Sequence, residues 1–295
     1  MDKLTACPVC DGADFEAFLT TRDHFLTGEE FSIVQCVNCR FLMTQPRPTE
    51  NALSSYYHSE EYISHSNTDN GLVSRLYKIV RNHSLDKKVE LLKKFKPAGK
   101  VLDIGCGTGH YLDRLAQHGF EPSGVEPEPA AREFAIREFK LNVWPDLFEL
   151  NGAKGEYDAI TLWHVLEHVY HLNNYMSEIK RLLSSDGMLI IAVPNPESYD
   201  AMVYEKHWAA YDLPRHLYHF TRETMHEFAT KHQFDLVDIA PMKFDSYYVS
   251  MLSEKYKNGK NNYLAAFLTG LKSNFRAKRS NNNYSSLIYI LKPKN

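Results

Sequence analysis

Three groups of residues in this chain have types and spacings that could do chemistry. The first is cysteine: Cys7 and Cys10 in CPVC, Cys36 and Cys39 in CVNC, with 25 residues between the pairs. A C-x2-C turn aims two thiolates at one point, and two such turns complete a tetrahedral S4 zinc site. Four protein ligands leave no open position, so the expected ion is structural. The second group lies in VLDIGCGTGH at 101–110, where an apolar run carries Asp103 and is followed by Gly105, Gly107 and Gly109 at alternate positions. The third is histidine. HVLEH brings His164, Glu167 and His168 together, and YDLPRHLYH gathers Tyr211, Asp212, Arg215, His216, Tyr218 and His219. Imidazole titrates near neutrality, which suits it to taking a proton from an acceptor group.

These residues need elements to hold them. KVLDI reads as a buried parallel strand and HYLDRLAQHG as a helix with Tyr111, Leu112 and Leu115 inward, stopped by Gly119. FEPSGVEP gives a second strand ending in Glu126, and Pro127 and Pro129 precede a helix over 130–139. This is a βαβ unit, whose ligand belongs at the carboxyl ends of the strands. A dinucleotide loop spaces its glycines as G-x-G-x-x-G and holds a pyrophosphate on its helix terminus. Here the spacing is G-x-G-x-G, and Asp103 stands where it would repel phosphate but welcome a cationic amino-acid end. Glu126, at the end of the second strand, suits two ribose hydroxyls. An adenosine with a positive amino acid in place of phosphates is S-adenosylmethionine.

LDIGCGTG followed by an acidic residue at the end of the next strand closely resembles motif I and its acidic partner in class I methyltransferases. The order of elements fits over residues 98–295. GEYDAITLWHVLEHV supplies a fourth strand, a helix follows over 172–183, and GMLIIAVPNPES supplies a fifth; FDLVDIAPMKFD and SSLIYILKPK supply the last two. The resemblance implies an α/β fold: a Rossmann-like seven-stranded methyltransferase sheet with its last strand antiparallel. It also implies roles. Gly105, Cys106, Gly107 and Gly109 let the backbone approach the cofactor, Asp103 holds the methionine ammonium and Glu126 the ribose, beside Tyr111 and Pro127. Asp146 and Leu147, after a third strand, contact adenine, and Trp163 and His164 line the cofactor and acceptor.

HVLEH matches a metalloprotease zinc signature, H-x-x-E-H, but lies at the end of a buried strand rather than on a helix. Ubiquinone-type O-methyltransferases and small-RNA 2′-O-methyltransferases resemble it with E-x-x-E-H, which holds a divalent ion near the acceptor hydroxyl; His164 replaces their first Glu. The ribbon, motif I and the histidine segment together resemble bacterial sugar C-methyltransferases acting on nucleotide-linked keto-deoxysugars. That family carries Tyr-x-Glu-His, with the histidine as base; this chain reads Leu213-Pro214-Arg215-His216. The resemblance implies His216 as base, with His219, Tyr211 and His164 positioning the acceptor. Arg215 has two readings: a grip on an anionic substrate group, or an internal ion pair with Asp212.

The expected domains are a zinc ribbon over 1–45, a helical connector or lid over 46–97, and the S-adenosylmethionine-binding domain over 98–295. Leu85, Val89, Leu92 and Phe95 recur at helical spacing in the connector. Before them, YYHSEEYISHSNTDNG offers Tyr62 and His65 as residues that would face the cofactor if this segment were a lid.

With 295 residues and a net charge of −3, the chain has ample core and no global basic field for nucleic acid. No apolar run approaches the ~18–20 residues that span a bilayer. The start lacks a signal-peptide core, so a cytoplasmic location is expected. The expected acceptor is a small molecule or glycan precursor, nucleotide- or lipid-linked. Competing readings are an rRNA or tRNA methyltransferase, against which the ribbon offers only Lys3, Arg22 and Arg40, and a non-catalytic cofactor-binding partner. From Glu254 onward there are nine Lys/Arg and one acid, and NYLAAFLTGLKSNFRAK has apolar residues at helical spacing. That region reads as a helix packed on the domain or as one lying on a membrane.

Overall fold

A computed structural model describes residues 1–57, 72–150 and 152–294, without side chains over 72–80. Its strands and helices alternate as the motif order requires. The first elements are β1 (Phe15–Arg22), β2 (Glu30–Cys36), β3 (Leu42–Thr44), α1 (Glu50–Leu53) and α2 (Leu72–Phe95). Then come β4 (Gly99–Ile104), α3 (His110–Gln117), β5 (Phe120–Val125), α4 (Pro129–Phe139), β6 (Asn142–Trp144) and β7 (Tyr157–Trp163). They are followed by α5 (Leu172–Leu182), β8 (Leu183–Pro194), α6 (Tyr199–Tyr204), β9 (Tyr218–His219) and α7 (Arg222–Lys231). The last are β10 (Phe234–Pro241), α8 (Asp245–Asn258), α9 (Tyr263–Arg279) and β11 (Ser286–Pro293).

Seven strands form one sheet in the order β10-β11-β8-β7-β4-β5-β6. It is mostly parallel with one antiparallel strand, and β4 pairs in parallel with both β5 and β7. Val101 to Ile104 are all buried, as a strand covered on both faces must be. This is the α/β methyltransferase-type sheet expected from the sequence.

A second sheet has the order β1-β2-β3-β9. Its first three strands come from the cysteine-bearing start, but β9 comes from the histidine segment, with Leu42 opposite His219 and Met43 opposite Tyr218. The β1–β2 hairpin turns at Gly28, whose φ of +73° favours glycine.

The chain forms two compact units: Met1–Ser59 with His164–Asn173 and Ile191–Ile290, and Glu60–Trp163 with Asn174–Ile190 and Leu291–Asn295. These divisions interleave along the chain. In the first unit, Phe31, Ile33 and Leu42 share one core with Trp208, Tyr211, Leu213 and Val249, so the ribbon strands rest on the segment that follows β8. Arg215 ties the same parts together while buried. Its Nε and Nη2 donate to Asp212 at 3.0 and 2.7 Å, Nη2 also to Asp23 at 2.7 Å, and Nη1 to the Tyr56 carbonyl at 3.1 Å. Of its two sequence readings, the internal ion pair is the one observed.

Candidate active site

The glycine-loop unit carries a cradle. β4 ends at Ile104, and Gly105, Gly107 and Gly109 follow with φ of +73°, +54° and +78°, a run that side chains with a Cβ would strain. At Gly109 a Cβ would also stand 2.8 Å from that of Ala135, so α3 and α4 could not pack as they do. At Gly107 nothing lies within 4 Å. The loop turns on backbone bonds, with the Gly105 and Cys106 amides donating to the Val125 carbonyl at 2.7 and 3.0 Å. Glu126 is buried and accepts from the amides of Gly107 (2.7 Å) and Glu128 (2.9 Å). Arg132 braces the strand end through the carbonyls of Glu126 and Pro127.

Asp103 is 3% exposed and accepts from the Thr161 hydroxyl at 2.6 Å. Burial pushes its carboxyl up to about 7, against the Thr161 hydrogen bond and the Lys88 charge. Burial likewise raises Glu126. Two buried carboxyls held against desolvation make a place that a cation would stabilise. The chain's own Lys88 ammonium already lies 4.3 Å from the centre of the Trp163 ring and 5.7 Å from that of Tyr111. Tyr111 Oη and Trp163 Nε1 are buried without hydrogen-bond partners. A sulfonium amino acid with ribose hydroxyls fits this donor set: Asp103 for the cation, Glu126 for the hydroxyls. Asp146 caps a short turn through the Phe148 amide at 2.7 Å, and Leu147 beside it is fully buried. Tyr62 and His65 lie outside the described residues.

The other unit carries the histidines. His164 takes a left-handed φ of +59° directly after β7, and Asp212 one of +41°. Such a conformation costs a non-glycine residue about 1–2 kcal/mol, and these two sit at either end of one cluster. His164 lies 2.9 Å from Asp245 Oδ2 through Nε2 and 3.3 Å from Glu167 Oε1 through Nδ1. Burial opposes its charge, but the two carboxylates outweigh burial and raise it to about 10. Glu167 is fully buried; burial opposes its charge too, yet the hydrogen bond and charge of His164 hold it at about 2. His164 is therefore an imidazolium between two carboxylates.

His216 and His219 differ from it. His216 Nδ1 donates to the Ala210 carbonyl at 2.8 Å. A carbonyl only accepts, so this bond places a proton on Nδ1, and in the neutral ring the lone pair then falls on Nε2. That Nε2 lies 4.0 Å from Asp212 Oδ2, and the ring meets His168 edge-on at 4.6 Å. His219 Nε2 lies 3.3 Å from Thr44 Oγ1, which itself donates to the His216 carbonyl at 2.6 Å. Burial lowers His219 to about 3 and His168 to about 4. Tyr211 packs edge-on against His219 at 5.5 Å, its hydroxyl raised to about 12 by burial. Glu167, His168 and His216 each offer a ligand atom within 4.8 Å of the others, and Glu167 Oε2 is buried without a partner.

At the start of this unit, the four cysteine sulfurs lie within 4.8 Å of one another. The two turns match: the Asp11 amide donates to the Cys7 carbonyl at 2.9 Å, the Arg40 amide to the Cys36 carbonyl at 2.8 Å. Both turns end in a left-handed residue, Asp11 at +61° and Arg40 at +65°. Burial pushes the Cys7 thiol up to about 11, while at Cys36 backbone hydrogen bonds from Cys39 and Asn38 oppose burial and the thiol is lowered. The set fits a zinc ion.

Sequence reasoning missed Lys88, Thr161, Asp245 and Thr44. Thr161 had a signal, since it lies beside Asp103 in the adjacent parallel strand. Asp245 had none; it is 81 residues from His164.

Comparison with known proteins agrees with this fold. A family profile described as "Methyltransferase domain" matches residues 77–239, more than half of the chain. A putative methyltransferase of Bacillus subtilis strain 168, YqeM, is 30% identical over 104 residues, 32% of this chain and 42% of the relative. The ubiquinone biosynthesis O-methyltransferase of Pseudomonas aeruginosa is 26% identical over 132 residues, 42% of this chain and 57% of the relative. The chain thus spans about half the length of the curated relatives it matches. Among solved structures, the 1,6-didemethyltoxoflavin-N1-methyltransferase of Burkholderia thailandensis is similar with a TM-score of 0.52 at 15% identity, covering 88% of this chain and 98% of that one. Magnesium protoporphyrin IX methyltransferase of Synechocystis PCC 6803 gives 0.54 at 15%, covering 83% and 100%. Both likenesses bear on the fold.

Proposed function

We propose a reaction for a chain that belongs to the methyltransferase-domain family and depends on S-adenosylmethionine: methylation of oxygen or carbon on a small molecule or glycan precursor, with His216 taking the proton. The bound cofactor supplies a methyl group on an electrophilic sulfonium. The chain must hold the acceptor in line and remove its proton as the new bond to carbon forms and the bond to sulfur breaks. Asp103 and Glu126 fix the cofactor's two polar ends. His216 carries the proton chemistry, and the observation that supports it is the Nδ1 bond to Ala210, which leaves Nε2 basic. His164, held charged by Asp245 and Glu167, orients rather than abstracts. His219, neutral and anchored on Thr44, and Tyr211 shape the acceptor side. Cys7, Cys10, Cys36 and Cys39 would hold a structural zinc.

A second reading has its own observation. Glu167, His168 and His216 are within reach of one divalent ion, and Glu167 has an oxygen to spare. His216 would then be a ligand, and the acceptor a hydroxyl on a small molecule, a reaction class shared with the ubiquinone biosynthesis relatives. Methyl transfer by zinc-replete protein that is unchanged in buffer freed of Mg2+ and Mn2+ and gains nothing when either is added excludes this reading.

The test is to incubate the protein with methyl-labelled cofactor and fractionated extract of its own organism. Label in a nucleotide-linked, lipid-linked or other small-molecule pool supports the proposal. Label in RNA replaces it with the RNA methyltransferase reading, and tight cofactor binding with no label in any fraction replaces it with a non-catalytic one.

A further inference from the structure

Helix α9 turns its small residues inward and its large ones outward. Ala266, Gly270, Ser273 and Ala277 are its buried positions. A Cβ on Gly270 would stand 3.0 Å from Tyr247 Cα and 2.7 Å from Tyr247 Cδ1, so small side chains here let α8 and α9 approach closely. On the other side, Tyr263, Leu264, Phe267, Leu268, Leu271 and Phe275 are 45–71% exposed. Fourteen large apolar side chains are this exposed among the described residues, and one 17-residue helix holds six of them. That concentration is a patch rather than scatter. At 3.6 residues per turn the six fall within an arc of roughly 140°. Lys272, Arg276 and Arg279 follow along one edge of the arc, and the Arg279 guanidinium lies 4.0 Å from the Phe275 ring centre. From Lys255 to the end of the chain there is no acidic residue.

We propose that α9 docks on an anionic membrane surface, with its apolar arc in the headgroup–acyl boundary and its cations on anionic lipid headgroups. Charge selects this occupant over a second copy of the chain. Two-fold pairing lays a patch on itself, and with no acid on the helix its cations would find no countercharge there. An anionic lipid surface supplies the missing charge. No helix among the described residues is long and apolar enough to cross a membrane, so α9 lies on the surface. The inference rests on this helix alone and stands whether or not the methyl-transfer proposal does.

The experiment is co-sedimentation of the full chain with vesicles of phosphatidylcholine, with and without phosphatidylglycerol. The anionic vesicles should carry down at least about tenfold more protein, an excess that high salt reduces. The triple variant Leu264→Ser, Phe267→Ser, Leu271→Ser should lose that binding, and Lys272→Gln with Arg279→Gln should lose most of it. Both should keep wild-type cofactor affinity, which shows that they fold. Protein that stays in solution with both vesicle types overturns the proposal. So does sedimentation unaffected by either variant, or a concentration-dependent dimer that the triple variant dissolves.

Discussion

The glycine-loop cradle and the histidine cluster are built in opposite ways. The cradle is almost one continuous stretch, Asp103 to Glu126, completed by Thr161 from the adjacent strand. Backbone amides supply its bonds, and three left-handed glycines set its shape. The cluster draws Thr44, His164, Glu167, Asp212, His216, His219 and Asp245 from segments far apart in sequence, and side chains supply most of its bonds. A site made of local backbone keeps its shape when its surroundings loosen. A site made of long-range side-chain contacts depends on everything that holds those segments. The cysteine-bearing strands are part of that support: β3 pairs with β9, and Thr44 touches both His216 and His219.

The largest expected effect breaks the two apart. Cys36→Ser, or zinc removal by a strong chelator, should abolish methyl transfer while titration calorimetry still finds cofactor binding within about twofold of wild type, because the metal's folding energy belongs to the ribbon's unit. Equal loss of both would show that the cradle leans on the ribbon after all. Next in size, Glu126→Ala should weaken cofactor binding about tenfold, the loss of a charged hydrogen-bond acceptor, with the thermal transition of the ribbon's unit unmoved. Affinity left unchanged would remove the assigned ribose role.

The remaining two use pH. His219 is held near 3, below its unfolded value of about 6.5. The unfolded chain therefore binds the extra proton, and stability is lost as pH falls below about 6.5. His219→Phe, if it folds, should flatten the fall in melting temperature between neutral and acid pH. Asp103 has the reverse sign. Its folded value, about 7, lies above the ordinary carboxyl value of 3.8, so the native state holds the extra proton and stability falls as pH rises from about 4 through 7. Asp103→Asn should remove that cost, stabilising the apo protein by on the order of 1 kcal/mol at pH 8 and by nothing at pH 4, while weakening cofactor binding. A uniform loss of stability at both pH values would contradict the burial argument.

The same contrast decides what could be read from sequence. Motif I, Glu126 and the strand order were legible because a glycine loop and a buried apolar strand each leave a local pattern. The two C-x2-C turns were legible for the same reason. β9 was not, since a two-residue strand has no period. The Arg215 pairing with Asp23 was not either: Asp212 lay nearby as a visible alternative, while Asp23 is 192 residues away. Nor did HVLEH declare that His164 would be charged and His219 neutral, because burial and carboxylate neighbours set that difference, and both come from tertiary structure.

The most direct test of the central claim compares wild type with His216→Asn in single-turnover transfer of labelled methyl to the fraction that wild type labels. Asparagine can keep the hydrogen bond to the Ala210 carbonyl but offers no base. The account predicts transfer slowed by about 10²–10⁴-fold with cofactor affinity unchanged. Transfer at the wild-type rate would show that His216 does not take the proton.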